Sequence, residues 1–317
     1  MSAKIRKIGI IGAGHVGSHI ALLAAEEALA DEIVLYDICR SKAKAQVMDL
    51  QDTLSYFRIN PKIYEGTVSD MQNADIMILA AGNPRLPGQN RLDKMEASIA
   101  TYKNIIPQIK QSGFNGFIIS ITNPCDIIAA YVQKKLDWPI GQMIGSGTAL
   151  DSARLNNDLA LQLHVAPHSV TAYVLGEHGD SSMIPWSHVF IGGIPIKIWM
   201  EENSVTYSRE WKNTVSDYVH KRASLEVQGK GSTEFGIAAS VCEIVRAIFH
   251  NEHKILPCSV YWKEMYGIQE GFASVPVQLG VKGIEKIIEF QMTAEEQKQF
   301  AKSIHVLHEY FERGMLL

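Results

Sequence analysis

Apolar residues in the first half of this chain fall in short unbroken runs, separated by stretches where they recur every three or four positions. The runs Lys7 to Ile11, Ile33 to Tyr36, Ile76 to Ala80 and Phe117 to Ile121 have strand length, are rich in β-branched residues and lack polar alternation, as expected of strands buried on both faces. Between them, Val16 to Leu29 and Ser41 to Leu54 carry helical spacing. Alternation of strand and helix predicts an α/β fold built on a doubly wound parallel sheet. Past Gly147 the pattern changes to a helix over Ala149 to Leu163, strand-like pieces over Ser169 to Leu175 and Val189 to Ile196 with a Gly192-Gly193 turn, and a helix from Ser232 through Phe249. A last helix starts at Thr293-Ala294-Glu295-Glu296, a capping-box pattern, with Phe300, Ile304, Leu307 and Phe311 on one stripe. The change of pattern divides the chain into domains 1–146 and 147–317, the second of α+β type, joined without a Pro/Ser linker and with a cleft between them.

Composition narrows the partners. The 317 residues suit about two domains, and 46% hydrophobic with 20% charged is an ordinary globular balance. A net charge of −4 argues against nucleic-acid or membrane-surface binding, both of which need a basic face. Cys39, Cys125, Cys242 and Cys258 show no C-x-x-C spacing, so neither a metal site nor a disulfide framework is suggested and a reducing, cytoplasmic setting is expected. The opening Lys4-Ile5-Arg6-Lys7 before an apolar run imitates a signal peptide, but glycines and His15 interrupt it at once, and it reads as the first strand. No run approaches the length of a membrane span. A small-molecule partner is expected.

The first strand runs into Gly12-x-Gly14-x-x-Gly17 and then a helix. Glycines at this spacing permit a sharp turn, close approach of backbone to a pyrophosphate, and tight packing of helix on strand. Asp37 follows the third glycine by 20 residues, where an acid can accept both hydroxyls of a ribose and repel a 2′-phosphate. The context makes this a Rossmann-type dinucleotide site that favours NAD over NADP. Asn123-Pro124 closes the fourth strand at the carboxyl edge of the sheet, where a side-chain amide can meet ribose or nicotinamide; alone it is only a turn signal.

Two segments of the second half carry chemistry. Leu150-Asp151-Ser152-Ala153-Arg154 sets an acid three residues before an arginine, and Gly176-Glu177-His178-Gly179-Asp180 sets a histidine between glycines. A histidine protonates a carbonyl and an arginine grips a carboxylate, which is dehydrogenase chemistry. With GAGHVG at Gly12 to Gly17, Asp37, the loop from Gly82 to Arg91, Thr122-Asn123-Pro124, Gly145-Ser146-Gly147-Thr148 and Gly231 to Gly236, the chain closely resembles the L-lactate/malate dehydrogenases, NAD-dependent 2-hydroxy acid enzymes, over most of its length.

That resemblance implies His178 as general acid/base, Asp151 as the carboxylate that fixes its tautomer, and Arg154 as the bidentate anchor of the substrate carboxylate. It implies that Arg91 lies on a closing loop and stabilises charge on the carbonyl oxygen, that Asn123 and Ser146 lie beside the cofactor, and that the enzyme is a homodimer or homotetramer. The stretch Ser41 to Leu54 offers a contact surface for such an assembly.

Substrate choice turns on conflicting spellings. Arg85, in a P-R-x-P-G setting, matches malate dehydrogenases, in which a second guanidinium pairs with the distal carboxylate of oxaloacetate. Thr233, GEHGD and GSGT are lactate-like. The charge of Arg85 is the larger effect, so malate is the expectation, with lactate or a broader 2-hydroxy acid as alternative. Asn156 and Thr171 stand where fructose-bisphosphate-activated relatives carry an arginine and a histidine, so that activation is not expected. A metal- and NAD-dependent glycosidase of related fold would use Cys125 after the Asn-Pro, but leaves LDSAR and GEHGD unexplained. A non-catalytic NAD sensor would bind the cofactor and turn over no keto acid.

Overall fold

A computed structural model describes residues 5–82 and 91–317, with side chains omitted at 91–93. Strands β1 (Lys7–Ile11), β2 (Glu32–Tyr36), β3 (Lys62–Glu65), β4 (Ile76–Leu79), β5 (Phe117–Ser120) and β6 (Met143–Gly145) are all parallel, in the order β3-β2-β1-β4-β5-β6. This is the doubly wound order, and its apolar strands are covered on both faces as their sequence requires. Helices α1 (His15–Glu26), α2 (Arg40–Thr53), α3 (Arg91–Ser112) and α4 (Cys125–Leu136) connect the strands. The expected elements agree to within a few residues; α3, α4, β3 and β6 lack counterparts among them.

Beyond β6 the same sheet continues antiparallel. Strands β10 (Lys254–Met265), β11 (Ile268–Gly280) and β12 (Gly283–Ile287) extend it to nine strands, and β10 joins β6 through the pair Ser259 and Gly145. Gly145 is required there, since a Cβ would lie 2.8 Å from that of Ser259.

The remaining elements form a smaller body. Helix α5 (Ala149–Gln162) is followed by the short strands β7 (Val170–Thr171), β8 (Phe190–Ile191) and β9 (Ile194–Pro195), which form a three-stranded sheet. Gly192 and Gly193 turn between β8 and β9 with φ +57° and +86°. Helices α6 (Ile196–Glu202) and α7 (Arg209–Lys230) complete it, whereas α8 (Phe235–Phe249) and α9 (Ala294–Leu316) pack into the core of the large sheet. The strand expected over Ser169 to Leu175 is thus only two residues long, because beyond Thr171 the chain leaves this sheet for the site loop. Leu155, Leu159, Val170, Ile191, Val215 and Val219 pack into a core of their own, separate from the large one around the nine-stranded sheet. The expected capping box at Thr293 is present, with Thr293 Oγ1 accepting from the Glu296 N–H and the Glu296 carboxylate accepting from that of Thr293. Among the described residues no helix is long and apolar enough to cross a membrane.

Candidate active site

The cofactor end is built from the β1–α1 turn. Gly12 has φ +111° and a Cβ there would lie 2.6 Å from the Ala80 carbonyl, while one on Gly17 would lie 2.0 Å from the Gly12 oxygen. Gly14, just before α1, has its nearest such neighbour, Lys42 Nζ, at 3.8 Å. The outer two glycines therefore serve backbone packing, and the middle one leaves open space where the first N–H groups of α1 emerge. Asp37, at the end of β2, accepts from the Ala13 N–H and the Cys39 N–H, both at 2.9 Å. One oxygen is used by each, so lone pairs remain on both for two ribose hydroxyls. This arrangement fits a dinucleotide.

Thr122 and Asn123 leave β5 at the same edge of the sheet. Thr122 Oγ1 donates to the Ala81 carbonyl at 2.7 Å and pairs with the buried Tyr102 hydroxyl, and the Asn123 carbonyl accepts from Ser98. Ser146 is buried at the end of β6, with its N–H on the Ser120 carbonyl and its hydroxyl 3.6 Å from Cys125 Sγ. Cys125 also receives the Gly147 N–H, and burial pushes its thiol up to about 12.

On the chemical side, α5 presents Asp151 and Arg154 on one face, as a three-residue spacing requires. Gly147 precedes the helix at φ +51°, and the Thr148 N–H donates to Ser274 Oγ at 3.0 Å, which sets where α5 begins. The His178 loop is stitched down on several sides. Gly176 bridges Ser274 of β11, and the Glu177 N–H donates to Ser303 Oγ of α9 at 2.8 Å. A Cβ at Gly176 would lie 2.4 Å from the same Ser303 oxygen, so only glycine lets the loop approach α9.

His178 Nδ1 lies 2.6 Å from Asp151 Oδ2, and the other Asp151 oxygen accepts from Arg154 Nη1 at 3.1 Å. Because an ionised carboxylate only accepts, Nδ1 carries the proton and Nε2 is left for exchange. The charge of Asp151 raises the His178 pKa against the opposing effect of burial. Burial acts to raise the Asp151 carboxyl too, but His178 and Arg154 together hold it below the usual range. The His178 side chain remains 24% exposed, so the ring is supported and accessible.

Three participants carried no recognisable signal in the sequence. Asp126, one residue past Cys125 and buried on α4, accepts the His178 N–H at 2.8 Å and the Ser259 hydroxyl at 2.5 Å. Glu226, on α7, accepts from Arg154 Nη2 at 2.8 Å, and Ser303 was noted above. Asp126 adjoins the marked Asn-Pro, but that position alone does not distinguish it from a helix-opening acid. Thr233 lines a cavity of about 850 Å³ together with Arg154, Arg222 and Glu226. Arg85 lies outside the described residues, as does the side chain of Arg91, which opens α3.

A dinucleotide turn and a His-Asp-Arg cluster in one chain invite comparison with known dehydrogenases. The family model for the lactate/malate dehydrogenase NAD-binding domain matches residues 6–145, and that for the α/β C-terminal domain matches 148–316. The chain belongs to the lactate/malate dehydrogenase family. It is an NAD-dependent oxidoreductase acting on a CH–OH group, and membership leaves the glycosidase and the non-catalytic sensor without support. Similar relatives include an L-lactate dehydrogenase of Fusobacterium nucleatum, 35% identical over 98% of this chain and 97% of that one, and one of Bacillus velezensis, 36% identical over 97% and 96%. Among solved structures, the ligand-bound minor L-lactate dehydrogenase of Enterococcus mundtii superposes with a TM-score of 0.94 at 34% identity, covering 98% of both chains. The lactate dehydrogenase of Cryptosporidium parvum, solved with lactic acid and nicotinamide adenine dinucleotide, gives a TM-score of 0.94 at 26% identity over 99% of both.

Proposed function

We propose that the protein is an L-lactate dehydrogenase, interconverting pyruvate and lactate, with His178 as acid/base. The observation that carries the acid/base role is the 2.6 Å contact between His178 Nδ1 and Asp151, whose carboxylate in turn receives Arg154. In the reducing direction the imidazolium gives its Nε2 proton to the substrate carbonyl oxygen, and in the oxidising direction neutral Nε2 takes the hydroxyl proton. Asp151 fixes the tautomer and stabilises the positive ring. Arg154 holds the substrate carboxylate and so fixes the distance from the carbonyl to His178. NAD, when bound, accepts or supplies the hydride. Gly12, Gly14 and Gly17 would hold its pyrophosphate, Asp37 its adenosine ribose, and Asn123 and Ser146 line the sheet edge beside it.

Pyruvate replaces the malate expectation that Arg85 suggested. The relatives just named are L-lactate dehydrogenases, and Thr233, the lactate-like residue, lines the same cavity as Arg154. Side-by-side NADH oxidation with pyruvate and oxaloacetate at equal low concentration tests this. Faster pyruvate reduction is expected; a preference for oxaloacetate would restore the malate reading and the role of Arg85. Domains 1–146 and 147–317, Arg91 as the closing-loop cation, a homodimeric or homotetrameric assembly and a cytoplasmic setting complete the proposal.

A further inference from the structure

The anchor arginine has a partner that keto-acid reduction does not require. Arg154 Nη2 donates to Glu226 at 2.8 Å, across 72 residues of sequence, and the second Glu226 oxygen lies 3.3 Å from Arg222 Nε, one turn earlier on α7. The Arg154 side chain is 5% exposed and that of Glu226 33%. The buried Arg154 Nε–H has no acceptor among the described residues. Thus Glu226 engages the guanidinium through one oxygen only, while its other oxygen faces a second cation on its own helix.

A buried guanidinium is costly to leave unpaired, and Glu226 relieves that cost with the same functional group that a 2-keto acid brings. Both carboxylates cannot hold Nη2 at once in the same way. A substrate that places two oxygens on the guanidinium makes the stronger, two-pronged contact. Glu226, a third exposed and already beside Arg222, has somewhere to go when displaced.

We propose that Glu226 is a built-in placeholder on the carboxylate anchor: it occupies Arg154 in the ligand-free enzyme, competes with the incoming 2-keto acid, and yields by retreating to Arg222. This rests on the reading of Arg154 as the substrate anchor. The placeholder sets the substrate concentration at which the enzyme works, since it acts on binding before chemistry begins.

The test is steady-state pyruvate reduction by five variants, with NADH binding followed separately by fluorescence. Glu226→Gln keeps the shape and removes the charge, and should lower KM for pyruvate by about 10-fold with kcat changed by less than about twofold. Arg222→Gln should raise KM, because Glu226 then has Arg154 alone. In the Glu226→Gln/Arg222→Gln double variant that rise should vanish, and in an Arg154→Gln background Glu226→Gln should give no gain. If the wild type turns over pyruvate and Glu226→Gln leaves KM unchanged or raises it, Glu226 is a support for Arg154 and the placeholder idea fails alone. If the wild type binds NADH yet reduces no 2-keto acid, the functional reading fails and takes this proposal with it.

Discussion

The main-chain N–H of His178 donates to Asp126 Oδ2 at 2.8 Å, so this histidine is fixed through its backbone by a carboxylate on α4 while its ring is fixed from α5. Asp126 also adds to the charge that raises the His178 pKa. Asp126→Asn should therefore do two separable things: loosen the loop, lowering kcat by about 10-fold, and move the alkaline limb of the reduction profile to lower pH. A fall in kcat without any shift of the limb would mean that Asp126 acts through geometry only.

The pH dependence of the wild type follows from the raised pKa of His178. Reduction needs the imidazolium, so kcat/KM for pyruvate should hold at low pH and decline as pH rises through a value above the ordinary 6.5. Oxidation of lactate needs the neutral ring and should rise through the same value. Asp151→Asn removes the main cause of the shift and should slide both limbs downward while slowing turnover. Identical profiles for wild type and variant would separate Asp151 from the titrating group.

Removing the imidazole is the bluntest check. His178→Ala should lose at least about 10²-fold in turnover with NADH affinity nearly unchanged, the mark of a lost proton donor. Near-normal turnover would exclude His178 as the acid/base.

Asp37 should decide between the two nicotinamide cofactors. The wild type is expected to prefer NADH strongly, and Asp37→Ser should narrow the gap by ending repulsion of the 2′-phosphate. Because Asp37 also accepts the Ala13 and Cys39 N–H groups, the variant should bind NADH less well too. Equal use of both cofactors by the wild type would show that Asp37 does not face the ribose.

Gly17→Ala places a methyl 2.0 Å from the Gly12 carbonyl oxygen. The turn must open to admit it, so NADH affinity should fall by about 10-fold or more and thermal stability should drop. At Gly14 the added Cβ meets no protein atom closer than 3.8 Å, so Gly14→Ala should cost NADH affinity with little loss of stability. A loss of stability at Gly14 equal to that at Gly17 would contradict this division of roles.

What could be read from the sequence was local. The glycine turn and Asp37 lie at the ends of neighbouring elements, and Asp151 and Arg154 lie three residues apart on one helix, so short stretches of chain fix their spacing and the structure keeps it. Glu226 could not be read, because it reaches Arg154 from α7, a helix whose buried positions include only Val215 and Val219 and whose apolar periodicity is correspondingly weak. The β10–β11 hairpin was hidden for another reason. Pro257 and Pro276, which argue against interior strand, sit opposite one another in it. Its tight turn, Tyr266-Gly267, takes positive φ at both residues without the Asn-Gly or Asp-Gly spelling that usually announces one.

That hairpin carries a consequence for how the molecule holds together. Its first strand completes the sheet begun by the glycine turn, through Ser259 and Gly145, and its second strand bridges Gly176 two residues before His178. The large core likewise runs without a break from Ile8 in β1 to Leu307 in α9. Cofactor and proton donor are therefore mounted on one continuous hydrogen-bonded plate rather than on two plates joined by a hinge. Cutting the chain after residue 146 would bare a raw strand edge on each fragment, so the halves that look separable in sequence should melt, refold and be inherited as a single cooperative unit.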